Sequence, residues 1–227
     1  MGWVKEFTAS SLGSKYLMAI TGLFLFLFLI AHLAGNLFVF SGRDALNGYA
    51  AGLREMPYGL LWVLRIGLAL TFLIHIFTAI NLSRQNSAAR PQAYAKKNYV
   101  AASLASRTML HTGMVVLVFL IFHLAHYTWR VIFFTGEKFD DLGRPDVYQM
   151  VIEGFSNPVV SIIYILSMLV LGFHLTHGLS SMFQSLGLNH IRYNYVFRKV
   201  FPKIGWAVAI ANIFIAASVL TGFLTYS

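Results

Sequence analysis

Five long apolar runs dominate the pattern of hydrophobic and polar positions along the chain. They cover residues 16–40, 60–84, 107–134, 156–186 and 202–226. Each is about as long as, or longer than, the roughly 20 residues that a helix needs to cross a bilayer. The third and fourth are long enough to predict tilt or helix beyond the lipid. Because the connections are short, the pattern predicts an all-α integral membrane protein: a single bundle of five transmembrane helices formed by residues 1–227.

Composition agrees with a bilayer as the surroundings of these runs. Hydrophobic residues make up 58% of the 227 positions and charged residues 11%. A soluble domain of this length could not bury that much apolar surface in one core. The first run is longer than the apolar part of a signal peptide, carries His32 within it and has no clear cleavage site after it. We therefore expect a retained helix.

Basic and acidic residues lie on alternate connections between the runs. Eleven of the seventeen Lys and Arg lie in the N-terminal segment and in the second and fourth connections: Lys5, Lys15, Arg84, Arg90, Lys96, Lys97, Arg107, Arg192, Arg198, Lys199 and Lys203. Seven of the eight acidic residues lie in the first and third: Asp44, Glu55, Glu137, Asp140, Asp141, Asp146 and Glu153. The positive-inside rule therefore predicts a cytoplasmic N-terminus and an external C-terminus. The net charge of +9 is mostly this basic collar beside the membrane lipid, so the charge gives no reason to expect a nucleic-acid partner.

The chain has no cysteine. This excludes disulfides, thiolate catalysis and an iron–sulfur cluster held by this chain alone. The sequence also has no phosphate-binding glycine loop, nucleophile elbow or zinc-binding helix. We identify no catalytic residue, and any chemistry is expected to come from histidines or bound cofactors.

The histidines carry most of the chemical information. Seven of the eight fall within the apolar runs: His32, His75, His111, His123, His126, His174 and His177. Ionisable residues are costly in lipid and usually face the bundle interior with a partner, but the runs hold almost no carboxylates. Neutral imidazole is a good iron ligand, and two imidazoles can hold one haem between helices. The alternative is that each histidine only hydrogen-bonds a neighbouring helix, but histidines within four separate runs favour two b-type haems.

Depth along the runs sorts four of these histidines into two pairs. At about 1.5 Å per residue, His75 and His174 lie roughly 14 and 18 Å from the cytoplasmic ends of their helices. His32 and His123 lie roughly 24 Å from theirs. This predicts an inner pair (His75 and His174) and an outer pair (His32 and His123). Two stacked haems would give electrons a path between the membrane faces.

Spacing leaves the ligand open within two neighbouring sets. His126 follows His123 by one helical turn, and His177 follows His174 in the same way, so each set shares a helix face. The spare histidine could donate to a haem propionate, contact a quinone or simply pack. His111 and His190 lie near the cytoplasmic side and are expected to be interfacial.

The segments around these histidines resemble a known family. They are Leu29-Ile-Ala-His32-Leu-Ala-Gly-Asn36, Leu73-Ile-His75, Phe119-Leu-Ile-Phe-His123-Leu and Gly172-Phe-His174-Leu-Thr-His-Gly178. Together they resemble the cytochrome b558 membrane subunit of succinate:quinone oxidoreductases (succinate dehydrogenase and fumarate reductase), in its single-subunit, two-haem form. The likeness covers nearly the whole chain and includes Asp44-Ala-Leu-Asn47 before Pro57, Thr112-Gly113, and the segment from Ser180 to Asn189.

The resemblance implies a membrane anchor in a bacterial cytoplasmic membrane. In that family the subunit binds a flavoprotein and an iron–sulfur subunit on the cytoplasmic side and passes electrons to or from quinone. It implies His32 and His123 as ligands of the outer haem iron and His75 and His174 as ligands of the inner one. It thereby selects His123 over His126 and His174 over His177. Some relatives have a glutamate where this chain has Gly172, which argues against proton movement by that route.

A quinone site needs an apolar slot with hydrogen-bonding groups near a haem or an iron–sulfur cluster. By depth, the inner candidates for contacts with quinone or haem propionates are Ser14, Lys15, Arg107 and His111. Asp44 and Glu55 lie near the outer haem and could accept quinol protons. Lys15 and Arg107 are equally typical of residues that extend to a membrane interface. The two-haem resemblance implies menaquinone as the quinone.

Two other functions fit parts of the pattern. One is the dihaem quinol-oxidising subunit of a nitrate reductase, hydrogenase or formate dehydrogenase complex, which usually has its ligands on fewer helices. The other is a haem-free transporter, which the scarcity of intramembrane carboxylates and of Gly/Pro-broken helix pairs disfavours. The pattern favours the succinate:quinone oxidoreductase anchor.

Overall fold

The computed structural model describes residues 2, 6–7, 10–89, 103–188 and 190–226, and these residues form helices and no β-strand. The helices are α1 (Ser11–Asn36), α2 (Arg43–Arg54), α3 (Leu60–Ala88), α4 (Leu104–Arg107), α5 (Met109–His123), α6 (Val147–Ser156), α7 (Pro158–Ser185) and α8 (Phe201–Leu220). Short 3₁₀ or π turns extend several of them: Leu37–Ser41, Pro57–Gly59, Leu124–Thr128 and Val196–Val200. The predicted all-α class is confirmed.

Five helical segments of the described chain are long and apolar enough to cross a membrane. They are Ser11–Ser41, Pro57–Ala88, Met109–Thr128, Pro158–Ser185 and Val196–Leu220. Their number and order agree with the five predicted spans. The first two are slightly longer than predicted, and the last one begins and ends about six residues earlier. It ends because Thr221 caps α8 and Gly222 adopts a left-handed φ of 75°.

The third span is shorter than its apolar run, so the prediction that it reaches residue 134 was wrong. Helix α5 continues through the π turn Leu124–Thr128 and then stops. Beyond it, Arg130 and Phe133 adopt positive φ angles, which a helix cannot contain. Phe133 folds back, with its ring centroid 6.3 Å from those of Phe122 and His126. The apolar residues after Thr128 therefore cover the end of α5 instead of lengthening it.

The fourth run is divided between two helices near its start. Helix α6 ends at Ser156 and α7 begins at Pro158. The side chain of Asn157 between them accepts hydrogen bonds from the amides of Val159 and Val160. An N-cap followed by proline at the first helical position is a strong start signal, so the span begins two residues later than predicted.

Consecutive spans pack antiparallel. Ser14 and Thr21 of α1 contact Asn81 and His75 of α3, so the residue order runs in opposite directions. Thr112 and His123 contact His174 and Tyr164 in the same way. Helices α7 and α8 form the most extensive contact, while α3 packs mainly on α1 and touches α5 weakly. Thr78 is the one buried residue of α3. Most of the surface of α3 is therefore exposed or only partly buried.

A polar network joins α2 to the connection before α6. The buried side-chain amide of Asn47 donates to Asp140 and Asp146 at 3.2 and 3.0 Å and accepts from the Tyr148 amide at 2.9 Å. Arg43 pairs with Asp146 at 2.8 Å, and Arg144 pairs with Asp140 at 2.7 Å. We call this the Asn47 network. It fixes the acidic end of the bundle, where the first and third connections meet.

Candidate functional site

The outer pair meets between α1 and α5. The ring centroids of His32 and His123 lie 5.8 Å apart, with their planes almost perpendicular at 86°. Both side chains are half-buried within the bundle. Phe28 stacks on His32 at 5.4 Å, and Phe119 lies 6.0 Å from His123. The structure thus brings together two histidines that are 91 positions apart in sequence, in an aromatic setting.

Tyr164 of α7 joins this pair to His126. Its hydroxyl lies 3.1 Å from Nδ1 of His123 and 3.2 Å from Nδ1 of His126. His126 lies in the π turn that directly continues α5. π turns within helices are frequent at functional sites. His123 and His126 therefore both direct Nδ1 toward the buried hydroxyl of Tyr164. Nε2 of His123 takes no part in this contact.

The two histidines of the inner pair, His75 and His174, have matching hydrogen-bond partners. Nδ1 of His75 lies 3.1 Å from the hydroxyl of Thr21, and Nδ1 of His174 lies 3.2 Å from the hydroxyl of Thr112. In the described part of the chain, no hydrogen bond engages Nε2 of either ring. Three of the four predicted ligands therefore contact a hydroxyl through Nδ1.

Glycines keep the helix surface open beside the inner pair. A methyl group on Gly22 would lie 3.5 Å from Cε1 of His75, and one on Gly113 would lie 3.4 Å from Cε1 of His174. Gly178 follows His174 by one turn, and a methyl group there would meet no atom within 4 Å. Small residues at these positions leave space for a flat group against the helices.

The two pairs lie at different depths in the bundle. Thr21 contacts His75 and lies eleven residues before His32 on α1, which corresponds to about 16 Å along the helix. Thr112 contacts His174 and lies eleven residues before His123. The inner histidines are therefore equivalent in depth, whereas run ends alone placed them roughly 4 Å apart.

No group of three or more His, Cys, Asp or Glu side chains in the described residues could enclose a metal ion. The histidines meet as pairs. A haem iron takes four ligands from its porphyrin and one or two from the protein, whereas a structural zinc site needs four protein ligands. Pairs of imidazoles are therefore the arrangement to compare with haem.

The remaining predicted residues occupy varied positions. His177 is half-buried and follows His174 by one helical turn. Ser14 is buried and accepts a hydrogen bond from Asn81 at 3.4 Å. His111, Lys15 and Arg107 are exposed, as is His190. Of the predicted basic residues, Lys5, Arg90, Lys96 and Lys97 lie outside the described residues.

Asp44 and Glu55, the two acidic residues predicted to lie near the outer haem, have different surroundings. Asp44 is exposed and pairs with Arg144 at 2.6 Å, so its carboxylate belongs to the edge of the Asn47 network. Glu55 lies exposed just after α2. A small cavity at the acidic end is lined instead by His126, Arg130, Lys138, Glu153 and aromatic residues of the third connection. The cavity places His126 beside charged loop residues.

Gly172 is packed against α8. A methyl group at this position would lie 2.7 Å from ring carbons of Trp206. A glutamate side chain would therefore require Trp206 to move. The packing of α7 on α8 therefore leaves no room for a carboxylate side chain at this position.

Sequence reasoning missed Thr21 and Tyr164. Thr21 could have been found from spacing, because Thr-Gly precedes His by the same interval in the first and third spans. Tyr164 had no comparable signal, since its contact with His123 depends on how α7 packs against α5. Comparisons of the whole chain found no matching family model, no matching curated protein and no matching solved structure.

Proposed function

We propose that this chain is the membrane-anchor and electron-transfer subunit of a succinate:quinone oxidoreductase, holding two b-type haems. The outer pair would hold one haem iron and the inner pair the other. A haem supplies reversible one-electron chemistry when it is bound. This chain would then connect partner subunits to quinone without a dehydrogenase reaction of its own.

The observation that carries this proposal is the contact of His32 with His123. Their ring centroids lie 5.8 Å apart, so these two imidazoles would hold one haem iron between α1 and α5. His75 and His174 add a second pair deeper in the bundle, and each has Nδ1 occupied by a threonine hydroxyl. Metal-binding histidines commonly have their second ring nitrogen hydrogen-bonded in this way.

The surroundings of the pairs also support a large apolar cofactor. Helix α3 touches α5 only weakly and buries only Thr78. Gly178 faces open space beside His174. Aromatic rings at Phe28 and Phe119 flank the outer pair and keep its surroundings apolar. The residues of this chain would bind and orient the two groups and exclude water from them.

Charge supports a cytoplasmic docking face. The basic residues of the second and fourth connections would face the flavoprotein and iron–sulfur subunits. The acidic first and third connections would lie on the outside. Quinone, with menaquinone as the expected form, would react at the membrane near one of the two haems.

A pyridine haemochrome assay on the purified chain tests the ligand set. We expect two haems b per chain in the wild type and about one in each of His32→Ala, His75→Ala, His123→Ala and His174→Ala, because each variant lacks one of the two imidazoles that would hold one haem. The double variant H32A/H123A should keep one haem, whereas H32A/H75A should keep none. His190→Ala is the control, since His190 is exposed and outside the pairs.

The outcomes separate the candidate functions. A folded wild type without haem would overturn the electron-transfer proposal and favour a haem-free transporter. Retention of both haems in H123A or H174A would transfer ligation to His126 or His177. Co-purification with a flavoprotein and succinate-dependent reduction of menaquinone in membranes would distinguish the proposed complex from the nitrate reductase, hydrogenase and formate dehydrogenase types.

A further inference from the structure

The first and third spans carry the same sequence pattern. Thr21-Gly22, Phe28-Leu-Ile30 and His32-Leu-Ala34 of the first correspond to Thr112-Gly113, Phe119-Leu-Ile121 and His123-Leu-Ala125 of the third. The intervals within the two segments are identical. The second and fourth spans do not share an equally clear pattern.

The structure gives this repeat a physical meaning. In each copy the Thr-Gly pair contacts a histidine of the following span: Thr21 contacts His75, and Thr112 contacts His174. In each copy the glycine lies beside Cε1 of the same imidazole. The histidines at the other end of the pattern, His32 and His123, contact each other. The outer pair therefore consists of equivalent residues of α1 and α5. The inner pair consists of one histidine each of α3 and α7, and these two histidines contact equivalent threonines.

Each threonine hydroxyl also faces a carbonyl of its own helix. The Thr21 hydroxyl lies 2.7 Å from the Leu17 carbonyl, and the Thr112 hydroxyl lies 3.1 Å from the Met109 carbonyl. A hydroxyl has one proton to donate and two lone pairs to accept with. When that proton is donated to the helix carbonyl, the oxygen accepts from Nδ1–H of the histidine. The histidine is then protonated on Nδ1, and its Nε2 lone pair is available.

We propose that Thr21 and Thr112 are positioning residues that hold His75 and His174 as Nδ1–H tautomers, with both Nε2 atoms available to one bound haem iron. This inference rests on the proposed function for its ligand. Each threonine acts on the iron only through its histidine. When the threonine oxygen accepts a hydrogen bond from Nδ1–H, the imidazole becomes more electron-rich. This raises its basicity as a ligand.

Removal of either hydroxyl should therefore favour the ferrous state of the inner haem. Thr21→Val and Thr112→Val keep the side-chain shape but remove the acceptor. We expect the midpoint potential of one haem to rise, and the same haem in both variants. Loss of one hydrogen bond corresponds to about a three- to tenfold change in the ferric-to-ferrous ratio at fixed potential. Spectroelectrochemical titration of the purified holoprotein measures this shift, with haem content determined in parallel.

Three further variants serve as controls. Thr21→Ser and Thr112→Ser retain a hydroxyl and should keep both wild-type potentials. Thr71→Val removes a hydroxyl whose bond is to Gly67 of its own helix at 2.8 Å, and should change neither haem. Two haems with unchanged potentials in both valine variants would overturn this inference and leave the proposed function intact. Absence of haem in the wild type would instead overturn the proposed function.

A second measurement remains decisive if a valine variant loses haem or folds poorly. Nitrogen NMR of histidine-labelled wild-type chain in detergent, without haem, reports which ring nitrogen carries the proton. His75→Gln and His174→Gln assign the two signals. Protonated Nδ1 and unprotonated Nε2 at both residues are expected. Protonated Nε2 at either residue would overturn the assignment regardless of the haem result.

Discussion

Tyr164 brings one hydroxyl proton to two imidazole nitrogens. Its oxygen lies 3.1 Å from Nδ1 of His123 and 3.2 Å from Nδ1 of His126. Since a hydroxyl can donate only once but can accept twice, at most one of the two histidines accepts that proton, and at least one donates its own to the oxygen. If His123 binds iron through Nε2, its Nδ1–H donates to Tyr164, and the Tyr164 proton is available to His126. One residue of α7 thereby couples the protonation of both histidines.

Substitution Tyr164→Phe should destabilise the chain. The ring would still fill its place, but two histidine nitrogens, including one on buried His126, would lose their partner. A buried polar group without a partner costs about 1–3 kcal/mol. Chemical unfolding in detergent measures the loss. Tyr195→Phe is the control because Tyr195 is exposed, and equal stability of the two variants would contradict this role of Tyr164.

Gly172→Ala should also destabilise the bundle. Its methyl group would lie 2.7 Å from the Trp206 ring, and overpacking of this kind costs about 1–3 kcal/mol. Gly52→Ala is the matched control, since a methyl group there meets nothing within 4 Å and alanine favours helix by up to about 1 kcal/mol. Thermal unfolding should show a lower melting temperature for Gly172→Ala alone. A second change, Trp206→Leu, should recover part of that loss.

At the scale of elements, the spans were predictable because a bilayer requires long, continuous apolar helices. Their ends were less predictable. The third run remains apolar through Phe134, but positive φ angles at Arg130 and Phe133 end the helix earlier. Pattern alone could not separate α6 from α7, since the divide depends on the capping side chain of Asn157. The Asn47 network joins segments about 100 positions apart and left no periodic signal.

The Asn47 network should weaken in acid. Burial raises the pKa of Asp140, but hydrogen bonds from Arg144, Asn47 and the Leu142 amide outweigh burial and lower the pKa to about 2. Burial also raises the pKa of Asp146, but hydrogen bonds from the Gln149 amide, Asn47 and Arg43 lower it overall. A carboxyl with a lowered folded-state pKa stabilises the fold above its unfolded pKa, and that contribution disappears as the pH falls through the folded-state value. The loss should therefore occur from about pH 4 down to about pH 2.

Melting temperatures of the chain in detergent across that pH range test this expectation. The wild type should lose stability as the pH falls from about 4 to about 2. Asp140→Asn and Asn47→Ala should start lower and fall less, because each already lacks part of the network. Asp141→Asn is the control, since the Asp141 side chain is 94% exposed, and it should follow the wild type. An acid decrease of equal size in Asp140→Asn would exclude this carboxyl as its source.

At the scale of the whole molecule, the contact between the outer histidines was predictable. Hydropathy and depth paired His32 with His123 and His75 with His174. The structure brings the first pair into ring contact and gives each inner histidine a threonine hydroxyl as partner. Their role as haem ligands stays a prediction. The hydroxyls on Nδ1 could not be predicted from single helices, because each bond joins two spans. The repeated interval between Thr-Gly and His is visible in the sequence. Only the packing of α1 on α3 and of α5 on α7 shows that each of these threonines contacts a histidine of the following span.

Orientation is the property of the whole chain that its charges predict most directly. The absence of cysteine allows single-cysteine labelling without any background change. Asp141→Cys marks the acidic end, His190→Cys marks the basic end, and Val118→Cys within the third span is the lipid control. With a membrane-impermeant maleimide on intact spheroplasts, Asp141→Cys should react at once, and His190→Cys only after the membrane is opened. Val118→Cys should stay unlabelled in both cases.

This pattern is expected because moving Lys and Arg clusters across the membrane is disfavoured, so the connections that carry them stay in the cytoplasm. The opposite pattern would invert the chain and place the inner pair nearer the outside, which would remove the argument for docking at the basic end. Labelling of both positions from the same side would contradict the five-span topology itself. If the expected pattern holds, the inner pair lies on the cytoplasmic side, next to the face where electrons would enter from the iron–sulfur subunit.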